Sequence, residues 1–129
     1  MLNASWSVYL AIALGGAVGA VLRHAINEGM LHLFGRAFPF GTLLVNILGS
    51  FVIGLLYALV LNGQLAANPW RIFIGVGVLG ALTTFSTFSL DTVLLLQQGH
   101  LAKAVLNVVG NLVLCLTLTW LGIKLGTMK

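Results

Sequence analysis

The sequence predicts an all-α integral membrane protein with four transmembrane helices, and three observations carry that expectation. Hydrophobic residues make up 60% of the 129 positions and charged residues only 6%, where a soluble domain holds roughly 25% charged residues. Mean hydropathy is +1.10. Four uncharged runs, 1–22, 37–70, 72–90 and 104–123, divide the chain, and each can supply the about 20 helical residues that cross ~30 Å of hydrocarbon. The connections leave no room for a soluble domain, so 1–129 reads as a single four-helix unit. Spans are predicted near 6–25, 40–62, 70–96 and 101–125.

The first span carries Gly15 and Gly19 at the four-residue spacing that lets helices approach closely. No Lys or Arg precedes its apolar run, so a cleavable signal peptide is not expected. Arg23 ends the span, where it either snorkels to the headgroups or stands at a vestibule mouth and raises the local anion concentration. Glu28 follows in the loop region, which leaves the span itself without an acid. His24, His32 and His100 fall in loops or at span ends and lack ligand spacing.

In the second span Thr42, Asn46 and Ser50 recur every four residues and form one polar stripe. An amide at membrane depth is costly unless paired, and the Asn46 NH2 can donate two bonds. It serves either a lined pathway or an interhelical bond worth about 0.6–2 kcal/mol.

The third span contains GVGVLGALTTFSTFS at 75–89. Its G-x-G-x-x-G pattern lies inside a membrane run with no acid about 20 residues on, so it is not a nucleotide site. Gly80, Thr83 and Thr84 predict a break near the middle of the helix, because Thr hydroxyls can satisfy backbone groups that an interruption frees. Carbonyls turned out of the helix there would form a cation site, above all where two subunits met. Beyond the break Phe85 and Phe88 share one face, with Ser86, Thr87 and Ser89 beside them. Hydroxyls donate hydrogen bonds and ring edges are electropositive. Together they can solvate a small anion with no fixed positive charge to trap it, and conduction requires such releasable binding. Asp91 ends the cluster, at a hydrated exit or paired with a cation.

The fourth span repeats the polar stripe with Asn107 and Asn111, followed by Thr117 and Thr119. Its lone Cys115 forms no intrachain disulfide.

Four spans put the N-terminus, the 62–69 loop and the C-terminus on one side, flanked by Arg71, Lys124 and Lys129. Arg23, Arg36 and Lys103 flank the other. Three against three gives no basic excess to orient the chain. Either other features set one orientation, or the chain inserts both ways round and pairs antiparallel. Four packed helices leave little space for a polar path inside one subunit, which favours a path between subunits. The net charge of +4 is scattered, so nucleic acid is not an expected partner.

GGAVGAVLR at 15–23, GTLLVN at 41–46 and GALTTFSTFS at 80–89 resemble the Fluc (CrcB) family of fluoride channels, and the likeness covers the whole chain. The resemblance implies an antiparallel, dual-topology homodimer with two pores that exports fluoride down its gradient across the cell inner membrane, relieving its toxicity. Carried over by motif, the rings of Phe85 and Phe88 would line the fluoride path. Asn46 would be its amide donor, and Ser86 and Thr87 would lie along the polar track. Arg23 matches the family's first-helix arginine. A structural sodium ion at the dimer interface would fall on the backbone carbonyls of Gly80 and Thr83. Thr42, Ser50, Asn107 and Asn111 are further candidates for pore lining, chosen on helical spacing. Many relatives read GGLTTFSTFS with a glutamate two residues on, where this chain has Ala81 and Asp91; neither change removes a donor or a ring.

The main alternative is a small dual-topology, proton-coupled multidrug exporter. That class depends on a membrane-embedded carboxylate in the first helix, which the predicted 6–25 span lacks. A non-transporting assembly subunit would use the polar stripes only as glue. An enzyme is not expected, because no nucleophile–base pair, metal cluster or phosphate loop survives the membrane context.

Overall fold

The computed structural model describes residues 2–64 and 69–128, with side chains from 6 to 64 and from 70 to 128. Lys129 and the middle of the 62–69 loop lie outside the described residues. Every regular element among these residues is helical: α1 (Leu2–Phe34), α2 (Phe40–Leu61), α3 (Pro69–Ile72), a π-helical segment (Phe73–Val78), α4 (Leu79–Leu82), α5 (Phe85–Gln97) and α6 (Leu101–Thr127). α3 through α5 run on as one interrupted span. Among the described residues four helices are long and apolar enough to cross a membrane: Trp6–Phe34, Phe40–Leu61, Trp70–Gln97 and Leu101–Thr127.

The first helix is longer than the predicted 6–25. α1 has 33 residues, about 50 Å of helix against ~30 Å of hydrocarbon. Polar side chains at 23–28 end the apolar run, yet none of them breaks a helix. The helix stops only at Gly35, whose φ of +74° favours a residue without a side chain. Arg23, His24, Glu28 and His32 therefore lie within α1 rather than at its end or in a loop. His100 does immediately precede α6.

Large apolar side chains such as Trp6, Leu14, Val21, Leu106 and Leu116 are exposed all round the bundle. Lipid tails are as apolar as these side chains, so close packing rather than water exclusion must join the helices. Glycine provides it. A Cβ on Gly15 would strike the Phe73 carbonyl oxygen and come within 3.0 Å of Gly77 Cα, so α1 crosses the third span backbone to backbone. The predicted Gly15/Gly19 pair serves this crossing, since a Cβ on Gly19 would strike Val78. On the other side α2 packs along α6, where Gly54 lies on the Thr119 carbonyl and Gly122 on that of Phe51. A small core of Val45, Leu79 and Leu82, with Ile26, Val52 and Ile74 against it, joins α1, α2 and the third span.

Candidate functional site

The predicted break in the third span is present, between α4 and α5. Thr83 (φ −80°, ψ 153°) and Thr84 (φ −151°, ψ 122°) are both extended. Each threonine closes one side. Thr83 N–H and Oγ1 both donate to the Leu79 carbonyl, at 3.1 and 2.9 Å, ending α4. Thr84 Oγ1 accepts from Thr87 N–H at 3.1 Å, capping α5. In an unbroken helix Thr84 N–H would bond the Gly80 carbonyl and Thr87 N–H that of Thr83. Both donors are diverted, so the Gly80 and Thr83 carbonyl oxygens lose their helical partners.

Asn46 takes the place of the missing turn. Its Oδ1 accepts from Thr84 N–H at 2.9 Å, and its Nδ2 donates to the Thr84 carbonyl at 3.2 Å. The same Nδ2 donates to Asn111 Oδ1 at 2.9 Å. One turn further along α2, Gly49 makes room for the Thr83 methyl, which a Cβ there would strike. The Thr42–Asn46–Ser50 stripe thus faces the broken span along its length, with Thr42 Oγ1 donating to Asp91 Oδ2 at 2.9 Å.

Phe85 and Phe88 stack on the first turn of α5 with ring centroids 5.4 Å apart and planes tilted by 55°. Their environments differ: Phe88 is 9% exposed and Phe85 76%. Both line an open groove of about 410 Å³ with Asn46, Ser50, Thr83, Thr84, Asn111 and Cys115. Gly80 also borders it, and no atom would lie within 4 Å of a Cβ there. Among the described residues no charged one lines this groove.

Behind the break lies a second cavity, of about 290 Å³, lined by Arg23, His24 and Asn27 from α1, Thr42 and Val45 from α2, and Thr84 and Thr87. A third, also about 290 Å³, shares Asn27, Thr42 and Thr87 with it and adds Arg36, Asp91 and Gln98. Thr84 borders both the groove and the Arg23 cavity. It is the partition between a neutral, ring-lined side and a cationic one.

The predicted site residues are therefore brought together in two groups. Phe85, Phe88, Asn46, Ser50, Asn111, Gly80 and Thr83 surround the groove, while Arg23, Thr42 and Thr87 surround the cavity behind it. Ser86 is exposed, its Oγ 3.3 Å from Thr84 Oγ1. Asn107 lies off the groove, fully buried, and bonds Asn111 and Thr92. Asn27, His24 and Thr92 were not anticipated. Asn27 carried a signal, since it follows Arg23 by one helical turn, but that signal is legible only once α1 is known to continue past 25. Among the described residues no cluster of His, Cys, Asp or Glu has metal-site geometry.

Residues 10–123 match the sequence model of the family described as CrcB-like protein, Camphor Resistance (CrcB). The chain is 58% identical over 118 residues to a Pseudoalteromonas translucida protein named fluoride-specific ion channel FluC, covering 92% of this chain and 98% of that one. Proteins of the same name from Shewanella amazonensis and Vibrio parahaemolyticus are 60% identical over 116 residues and 56% over 114. These matches cover 90% and 88% of this chain, and 93% and 90% of the relatives.

Proposed function

The chain belongs to the CrcB family, and on that premise we propose that it is a passive, fluoride-specific channel through which fluoride leaves the cell, relieving its toxicity. The observation that carries this reading is the groove at the helix break. It presents amides, hydroxyls and two aromatic rings with no charged side chain, in a chain 56–60% identical to proteins named fluoride-specific channels. Fluoride needs donors to replace its water. Neutral donors and ring edges offer them without a charge that would hold the ion too tightly.

In this reading Arg23 concentrates anions in the cavity behind the break, and Thr42 and Thr87 provide hydroxyls along it. The ion then meets Asn46, Ser86, Phe85 and Phe88, with Ser50 and Asn111 on the groove wall. Both Asn46 N–H groups are already engaged. The 3.2 Å bond to the Thr84 carbonyl is the longer one, and it is the one a passing anion displaces. Asn107 supports this set from behind.

The active form in this reading is an antiparallel homodimer of oppositely inserted copies, with two pores, in the cell inner membrane. Its support is the exposure of Phe85 and the open space beside Gly80, which give a single subunit an unfinished wall. The freed Gly80 and Thr83 carbonyls suit a hard cation such as sodium, since unwound backbone carbonyls are typical sodium ligands in membrane proteins. Sodium would be held there between the copies as a structural ion. The exporter alternative is not favoured. Glu28 does lie within α1, but it is exposed and borders neither the groove nor the Arg23 cavity, and the relatives are named channels.

Purified protein in liposomes loaded with fluoride should release it when a potassium ionophore balances charge, with chloride released far more slowly. Equal chloride efflux, or no efflux of either ion, would overturn the reading.

A further inference from the structure

Two residues outside the groove are joined to it by hydrogen bonds that all point one way. Thr84 N–H donates to Asn46 Oδ1 at 2.9 Å, and Asn46 Nδ2 to Asn111 Oδ1 at 2.9 Å. Asn111 Nδ2 donates to Asn107 Oδ1 at 3.1 Å, and Asn107 Nδ2 to Thr92 Oγ1 at 3.0 Å. Thr92 Oγ1 donates to the Phe88 carbonyl at 2.8 Å. The series leaves the third span at Thr84, passes through α2 and α6, and returns at Thr92, which hands it back one turn to the Phe88 carbonyl. It closes a ring around the turn that bears both aromatic side chains.

The ends set the direction. A backbone N–H can only donate and a backbone carbonyl can only accept. With Thr84 N–H at one end and the Phe88 carbonyl at the other, each amide between them has one orientation that satisfies its neighbours. Turning any one over would set oxygen against oxygen and NH2 against NH2. Burial enforces the choice, since Asn107 is 0% and Asn111 6% exposed, and an unpaired polar group there has no water to turn to. Asn111 is further fixed to its own helix by Nδ2 donation to the Asn107 carbonyl at 2.8 Å. Among the described residues no buried side-chain polar atom lacks a partner.

We propose that Thr92 and Asn107 are positioning residues for ion passage: at the far end of this one-way series, whose near end Thr84 itself orients, they hold the Phe85–Phe88 turn against α6. The proposal rests on the channel reading above. It differs from general interhelical glue, because glue would depend only on the strength of contact between α5 and α6. Here the Thr92 hydroxyl must both accept from Asn107 and donate to Phe88, two roles that size alone cannot fill.

The test compares Thr92→Val, Thr92→Ser and Thr92→Cys in liposome efflux assays of fluoride and chloride, each variant first shown to elute like the parent protein. Val keeps the shape and removes both roles, Ser keeps both roles, and Cys supplies weak versions of them. Fluoride efflux is expected to fall about tenfold in Thr92→Val, the scale of one unpaired buried amide, with a smaller fluoride-to-chloride ratio. Thr92→Ser should stay within about twofold of the parent, because both hydrogen-bond roles survive. Thr92→Cys should lie between them, and it carries the comparison with Ser if Thr92→Val does not fold. Parent-like rates in Thr92→Val, or in Thr92→Cys where that variant stands in, would overturn the proposal. So would an equal loss in Thr92→Ser, which would make the missing methyl the cause. A second readout does not depend on conduction: the 19F resonance of 4-fluorophenylalanine placed at position 88. It should shift in Thr92→Val and stay with the parent in Thr92→Ser. If the parent itself passes no fluoride, the channel reading fails while this resonance still decides whether Thr92 positions the ring. A resonance unmoved by both substitutions rejects the proposal.

Discussion

Asn46 and Thr84 are bonded to each other twice, Thr84 N–H to Asn46 Oδ1 at 2.9 Å and Asn46 Nδ2 to the Thr84 carbonyl at 3.2 Å. The side-chain amide here replaces the Gly80 carbonyl that the broken helix denies to Thr84 N–H, and it adds a second donor to the Thr84 carbonyl, which as N-cap already accepts the first bond of α5. The break is thus held open by α2 and not merely tolerated by the third span.

Replacing Asn46 by Leu should leave the Thr84 N–H unpaired and take the second donor from the Thr84 carbonyl, whose other bond is the first of α5, at a cost of about 1–3 kcal/mol for the orphaned donor. A lower thermal midpoint in detergent and loss of fluoride efflux are expected together. Asn46→Asp keeps the acceptor for Thr84 N–H but sets oxygen against the Thr84 carbonyl and Asn111 Oδ1. Its flux should also fall, and an unchanged flux would mean that the amide donors are dispensable.

The two rings should respond differently. Phe85 is 76% exposed and Phe88 9%, so Phe85→Ile is expected to leave subunit stability within about 0.5 kcal/mol, the usual range for surface changes. Phe88→Ile should lower stability measurably. Both should reduce fluoride efflux if ring edges meet the ion; thermal melts beside efflux rates separate the two effects.

Gly15 and Gly16 make a matched pair. A Cβ at Gly15 would strike the Phe73 carbonyl, whereas one at Gly16 would have nothing within 4 Å. Gly15→Ala should lower stability by about 1–3 kcal/mol, the usual cost of overpacking. Gly16→Ala should be neutral or slightly stabilising, as measured by thermal midpoint.

Gly80→Val asks whether a second copy covers the groove. One subunit has open space at this position, so the folded monomer should accept the side chain. Pairing should not, and light scattering of the purified protein should report a monomer where the parent gives a dimer. A dimer in both would place the subunit contact elsewhere.

Orientation is tested with single cysteines in a Cys115→Ser background. A cysteine at Gln98, exposed in the turn between α5 and α6, should react with an impermeant reagent from both faces of the membrane if copies insert both ways round. Reaction from one face only would exclude antiparallel pairing.

Much of this architecture was legible in the residues, for identifiable reasons. Uncharged runs marked the spans, because charge is what hydrocarbon excludes. The Thr83–Thr84 break was legible because two hydroxyls after a glycine can replace helical hydrogen bonds. The end of α1 was not: polar residues after Leu22 end an apolar run without ending a helix, so Arg23 to His32 were misplaced as span end and loop. The π-helical turns at Phe73–Val78 carry no composition of their own, and they form where Gly15 and Gly77 bring two backbones together. Asn107 and Asn111 were found by spacing. That spacing could not tell a lining residue from one buried behind the lining. Thr92 had no signal, since its importance comes from the α6 amide it meets.

The π-helical segment also constrains how the gene can vary in length. Each such turn winds about one residue more than an α turn, so one residue can be lost between 73 and 78 if the stretch reverts to α winding. Everything beyond would then keep nearly its direction around the axis, and Phe85, Phe88 and Thr84 would still face their partners. Loss of a second residue has no wide turn left to absorb it and would swing the rest by about 100°. Functional descendants should therefore tolerate loss of one residue in this stretch but not of two.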